Sequence, residues 1–201
     1  MQFPYRAILV LASFAATTVA EASPVAPAAG PKPPAVTAAP PRDGARDFDF
    51  EFGVWNTHLT RRLRPLTGST TWVDYTGVTT VQPVLGGAAN LVELEVKGPA
   101  GEIKALSLRL YEPAARQWTL NFAGQDGLLT SPMTGAFQDG VGTFYDQDTL
   151  NGRAILVRFV ISCARPTVCR FEQAFSDDGG QVWEVNWIAT DTRVSATVPA
   201  A

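Results

Sequence analysis

The chain has 201 residues, of which 46% are hydrophobic and 17% charged, which suits one well-buried domain with a tail to spare. Its formal net charge is −3, with acidic and basic residues interspersed, so no basic footprint exists for nucleic acid or for an anionic membrane surface.

In chain order, residues 1–22 read as an export signal. Arg6 gives a weakly positive start, Ala7 to Ala20 form a 14-residue apolar run, and Ala20-Glu21-Ala22 offers a small-x-small cleavage site near Ala22. The run is shorter than the roughly 20 apolar residues that span a bilayer. No second such run follows, and the first cysteine, Cys163, is far from any lipid-anchoring position. The expectation is a soluble, periplasmic or secreted protein. Residues 23–45 set Pro24, Pro27, Pro31, Pro33, Pro34, Pro40 and Pro41 among alanines, with too little apolar surface to offset ordering entropy. They are expected to form a disordered Pro/Ala-rich linker.

The folded domain is expected over 46–193, with a flexible tail over 194–201. It opens on Asp47-Phe48-Asp49-Phe50-Glu51-Phe52, an acidic/aromatic alternation that runs into Gly53-x-Trp55. From there short runs of strand-forming residues alternate with turn signals, and no helical period lasts beyond two turns. The predicted strands are Val54 to Leu63, Thr70 to Val81, Asn90 to Val96, Ile103 to Tyr111, Gln117 to Ala123, Met133 to Phe137, Gly142 to Asp146, Arg153 to Ser162, Val168 to Ser176 and Gln181 to Thr190. Turns fall at Lys97-Gly98-Pro99-Ala100-Gly101, Asp139-Gly140, Asn151-Gly152 and Asp178-Gly179-Gly180, while Gly86-Gly87 opens no helix and reads as another turn. Sequential hairpins at this spacing predict an all-β, antiparallel up-and-down barrel of about ten strands, since closure removes exposed edges. A two-sheet sandwich is the alternative.

Cys163 and Cys169 flank a hairpin loop between two apolar strands, which sets them opposite one another for a structural disulfide in an oxidising compartment. Carrying the register through this hairpin puts Ile155, Val157, Phe159, Ile161, Phe171 and Phe175 on one interior face. If Ser176 pairs with Gln181, Gln173 opposes Glu184 and Phe171 opposes Asn186 on that face, while Trp183 and Trp187 point outward. In the Glu112–Gln117 hairpin, Tyr111 pairs with Trp118 and Arg109 with Leu120, and the aromatic side of this pair is expected to face inward with Arg109. Trp55 and Arg193 are expected to stack at one barrel end in a structural role.

Several stretches carry a resemblance. They are Phe48-Asp49-Phe50, Gly53-x-Trp55, Gly68-Ser69-Thr70-Thr71-Trp72, Leu108-Arg109-Leu110-Tyr111-x-Pro113, Gly140-Val141-Gly142-x-Phe144-Tyr145, and Glu172-Gln173-Ala174-Phe175-Ser176-x-Asp178-Gly179-Gly180-x-x-Trp183-Glu184-x-Asn186-Trp187. Over about residues 47–193 the chain resembles a family of bacterial calycin-like (lipocalin-like) β-barrel proteins of unknown function. The resemblance implies a lipocalin-like fold and, by analogy, a ligand cavity. Nitrobindin-type haem barrels also begin with Gly-x-Trp, but they hold iron through a His near the chain end, whereas the single His here is His58 in the first strand. No cofactor is expected.

Catalytic and metal inventories are sparse. One His, two paired cysteines and no Asp-x-Asp-x-Asp-Gly loop argue against a metal, and no Gly-x-Ser-x-Gly elbow or Cys/His arrangement supports a nucleophile. The polar groups that suit ligand contact are Arg109, Tyr111, Trp118, Gln173, Glu184 and Asn186, with Glu184 expected to meet Arg109, accept hydrogen bonds or take up a proton in an apolar interior. The function they support is non-catalytic binding of a small apolar or amphipathic molecule inside the barrel. The alternatives are a filled barrel acting as an interaction module and a cavity enzyme using Glu184 as acid or base.

Overall fold

The computed structural model describes residues 43–125 and 127–198. The export signal expected over 1–22 lies outside them, as does the expected linker up to residue 42.

Among the described residues ten strands follow in order: β1 (Gly53–Arg62), β2 (Trp72–Val84), β3 (Ala89–Gly98), β4 (Gly101–Glu112), β5 (Gln117–Gly124), β6 (Met133–Gln138), β7 (Val141–Leu150), β8 (Arg153–Arg165), β9 (Val168–Ser176) and β10 (Glu184–Ser195). Each pairs antiparallel with its successor, and β1 also pairs with β10, so the sheet closes into a barrel rather than a sandwich. Helix among the described residues is confined to two 3₁₀ turns, Asp49–Glu51 and Leu85–Gly87, and no helix there is long and apolar enough to cross a membrane.

Period-two alternation decides which residues face the interior. Ile155, Val157, Phe159 and Ile161 of β8 are buried. Trp55, Thr57 and Leu59 of β1 are buried too, while Asn56 and His58 between them are exposed. His58 sits on the outer surface with its Nε2 3.2 Å from Asp74. Arg109, Trp118, Leu120 and Ser107 are also buried, so the aromatic side of the β4–β5 hairpin is the inward one.

Gly53 opens β1 with φ +127°, and a Cβ there would lie 2.0 Å from the Ser195 carbonyl oxygen. The register of β1 against β10 also shifts between Val54 and Trp55. A side chain at position 53 would therefore collide with the closing seam, which explains the glycine of the Gly-x-Trp motif.

Residues 43–52 strap across the end of the barrel where β1 begins. Phe48 is fully buried, edge-on to Trp118 and Phe137 with both centroids at 4.9 Å, and stacked on Phe144 at 5.7 Å. The Trp118 indole N–H donates to the Gly44 carbonyl at 3.0 Å. Arg193 lies 4.0 Å over the Trp55 ring and donates to the carbonyls of Phe52, at 2.6 Å, and of Phe50. The aromatic half of the Asp47–Phe52 alternation is thus the plug. Cys163 and Cys169 face one another at disulfide distance at the same end, across the β8–β9 hairpin.

The β9–β10 hairpin differs from the expected one. Pairing resumes at Glu184 opposite Phe175, not at Gln181 opposite Ser176. The cause is Asp178, whose Oδ1 accepts from the N–H groups of Gln181 at 2.9 Å and Val182 at 3.0 Å and from the Ser176 hydroxyl at 2.7 Å. These bonds hold its carboxyl below the usual carboxylate range, the Val182 N–H contributing most, and they wind residues 177–183 into a longer loop. A bulge between Val185 and Trp187 then changes the parity of the strand. Trp187 consequently faces inward opposite Gln173, contrary to expectation. Trp183 leaves the strand and lies under the Arg158 guanidinium at 4.6 Å.

Candidate functional site

With one end plugged, the remaining interior is a cavity of about 330 Å³. Its lining runs from the buried floor to exposed rim residues such as Arg61, Thr130 and Asp148, so it opens at the end opposite the plug. Alternation explains the walls: inward positions of β3, β5, β8 and β9 supply Leu94, Phe122, Phe159, Phe171 and Phe175. Such a volume lies at the small end of ligand pockets, and apolar walls with a few polar groups are their usual composition.

The floor holds the polar groups. Glu51, on the underside of the strap, is buried and takes a two-pronged interaction from Arg109 of β4, with Nη2 to Oε1 at 3.3 Å and Nη1 to Oε2 closer. The strap thus supplies the partner that lets an arginine sit inside the barrel, and the same guanidinium lies 4.3 Å over the Phe48 ring. The Trp55 indole N–H fixes the Glu51 backbone by donating to its carbonyl at 2.7 Å.

Asp191 faces the same space from β10. It sits opposite Thr57 of β1, whose hydroxyl hydrogen-bonds to it and lies 2.6 Å from that of Thr79. Its carboxyl is pushed up to about 7. Burial is the main cause and the charge of Glu51 adds to it, against the opposing effects of Thr57 and Arg109. Asp191 Oδ1, Ser107 Oγ, Arg109 Nε and Asn186 Nδ2 are buried and lack hydrogen-bond partners. Such atoms favour an occupant that can satisfy them.

Of the residues singled out from sequence, Arg109, Gln173 and Asn186 line this cavity. Tyr111 and Trp118 lie below it against each other and the strap, with ring centroids 5.4 Å apart. Glu184 does not meet Arg109. It sits at the rim, accepting the Leu66 N–H at 2.7 Å and pairing with Arg62 at 3.3 Å. The loop of residues 177–183 and the bulge after it move Glu184 to the mouth. Glu51, Asp191, Thr57 and Thr79 were not singled out from the sequence. No signal for Asp191 existed in the sequence: a regular last strand with Asn186 inward puts Asp191 outward, and only the bulge between Val185 and Trp187 turns it in. For Glu51 there was none either, since nothing local shows that the strap folds under the barrel.

No protein-family model and no curated protein matches the sequence. Among solved structures, the S-type phycobiliprotein lyase CPES from Guillardia theta superposes with a TM-score of 0.51 at 12% identity, covering 74% of this chain and 90% of that one. A de novo designed fluorescence-activating β-barrel gives a TM-score of 0.40 at 10% identity, over 76% of this chain and 98% of that one. What this chain shares with the lyase is its fold, a calycin-like barrel.

Proposed function

We propose that this protein is a container that binds one small apolar or amphipathic molecule in its barrel without transforming it. The observation that carries the reading is the cavity itself: about 330 Å³, plugged below by the strap, open above, with aromatic walls over a polar floor. A barrel filled by its own side chains would leave no such space. Glu184, the acid or base of the enzymatic alternative, is already engaged at the rim by Arg62 and the Leu66 N–H. The outward tryptophan pair that would have marked an interaction surface is absent, because Trp187 faces the cavity.

An exported container agrees with the Cys163–Cys169 pair, since oxidising compartments are where such bridges persist. Residues 1–22 would then be the export signal. Uptake of the neutral dye N-phenyl-1-naphthylamine by the full chain tests the reading. Dye fluorescence is expected to rise saturably at one dye per chain, and Ala189→Phe or Ala105→Phe, which place a ring inside the cavity, should abolish the rise. Dye binding that both variants leave intact would overturn the assignment of this cavity.

A further inference from the structure

The charges facing the cavity do not balance. At the floor Glu51 pairs with the Arg109 Nη groups, and at the rim Glu184 takes Arg62. Three carboxylates and one base remain along the lining: Asp191, Asp146 and Asp148 against Arg61. Asp146 and Asp148 each hydrogen-bond the N–H of the next residue, and no basic side chain among the described residues pairs with them. Burial and, to a smaller extent, the neighbouring charge of Asp148 raise the Asp146 carboxyl despite the Gln147 N–H.

Asp191 is the most constrained of the three. It is 3% exposed, and its Oδ1 has no partner. The groups facing it are few. From β1 comes Thr57, and from β9 comes Cys169, locked in the disulfide. The charged groups that reach it are Glu51 from the strap and Arg109 from β4, and the latter is already held by the former. On its own strand Arg193 is taken by the Phe50 and Phe52 carbonyls and the Trp55 ring. A buried carboxyl so placed has two stable arrangements, a proton or a cation brought by the occupant.

We propose that the occupant is an organic cation, an amine on an apolar or aromatic body, whose ammonium pairs with Asp191 while the body lies against the aromatic walls. This rests on the container reading and names its ligand class. The ammonium gains a charge-assisted hydrogen bond to a carboxylate in a site of low dielectric, and the faces of Phe159, Phe171 and Trp187 tolerate its positive charge. An anionic head would meet three unpaired carboxylates along the lining, with Arg61 at the rim the one lining base among the described residues not held by a carboxylate.

Calorimetric titration of the full chain with n-octylamine, 1-octanol and octanoate at about pH 8 tests this, because the three share a tail and differ in head. Octylamine is expected to bind about tenfold more tightly than octanol or better, with octanoate weakest. Asp191→Asn should bring the amine-to-alcohol ratio to about one. Should that variant not fold, the unmodified chain decides. Octylamine stays protonated throughout, so its affinity should fall about tenfold per unit from about pH 7 to pH 5 as the Asp191 proton competes. Octanol or octanoate binding as tightly as the amine, a ratio unchanged in Asp191→Asn, or a flat pH profile would overturn the proposal. Equal binding of all three would leave the container standing; binding of none would remove both.

Discussion

Asp191 makes the stability of the empty barrel pH-dependent, and the direction follows from its raised carboxyl. With a folded value of about 7 against an unfolded value near 3.8, its contribution is fully present below the unfolded value. It is then lost as pH rises through the folded one, because the unfolded chain releases the proton first. The whole difference amounts to roughly 4 kcal/mol. Urea unfolding between pH 4 and pH 8 should therefore show declining stability from this group, and Asp191→Asn should remove most of the decline. A variant whose pH profile matches that of the parent would show that Asp191 titrates normally. The Glu51–Arg109 pair is the second lever. Arg109→Met leaves a buried carboxylate without its partner and is expected to lower stability by about 3 to 5 kcal/mol, whereas adding Glu51→Leu should recover most of the loss. Neither partnership was legible in the sequence. The inward position of Arg109 followed from pairing arithmetic in one hairpin, but its partner is 58 residues away on a strap that belongs to no strand.

Among the elements, the strap and the β1–β10 seam depend on Arg193. This one side chain holds the Phe50 and Phe52 carbonyls and covers Trp55. Arg193→Ala is expected to lower stability by about 2 kcal/mol and to speed amide exchange in β1 and β10 more than in β5 and β6. An unchanged melting temperature would mean that the strap is held by its phenylalanines alone. Strand existence was readable from the sequence because alternation and Gly-containing turns agree along most of the chain. The β9–β10 register was not. Two features invisible to turn rules, carboxylate capping by Asp178 and a bulge after Val185, together displaced Glu184 and reversed Trp187. The seven-residue segment from Cys163 to Cys169 closes only a short loop, so reducing the pair should cost roughly 2 to 3 kcal/mol and leave the barrel folded.

At the scale of the molecule, ten antiparallel strands leave no free edge, and a closed sheet of this size has an interior that its own side chains do not fill. Closure was the inference the sequence supported best, through its run of hairpins and the Gly-x-Trp entrance. The cavity was not readable, because it depends on how large residues are distributed around the circle: Phe48, Phe137 and Phe144 crowd the strapped end, while Thr57, Thr79, Ser107 and Ala189 leave room above. On this reading the room is occupied in the cell, and native mass spectrometry of the protein recovered from its own host is the decisive experiment. One small organic molecule per chain, released on denaturation, is the expected result. A barrel that is empty in every preparation would contradict it.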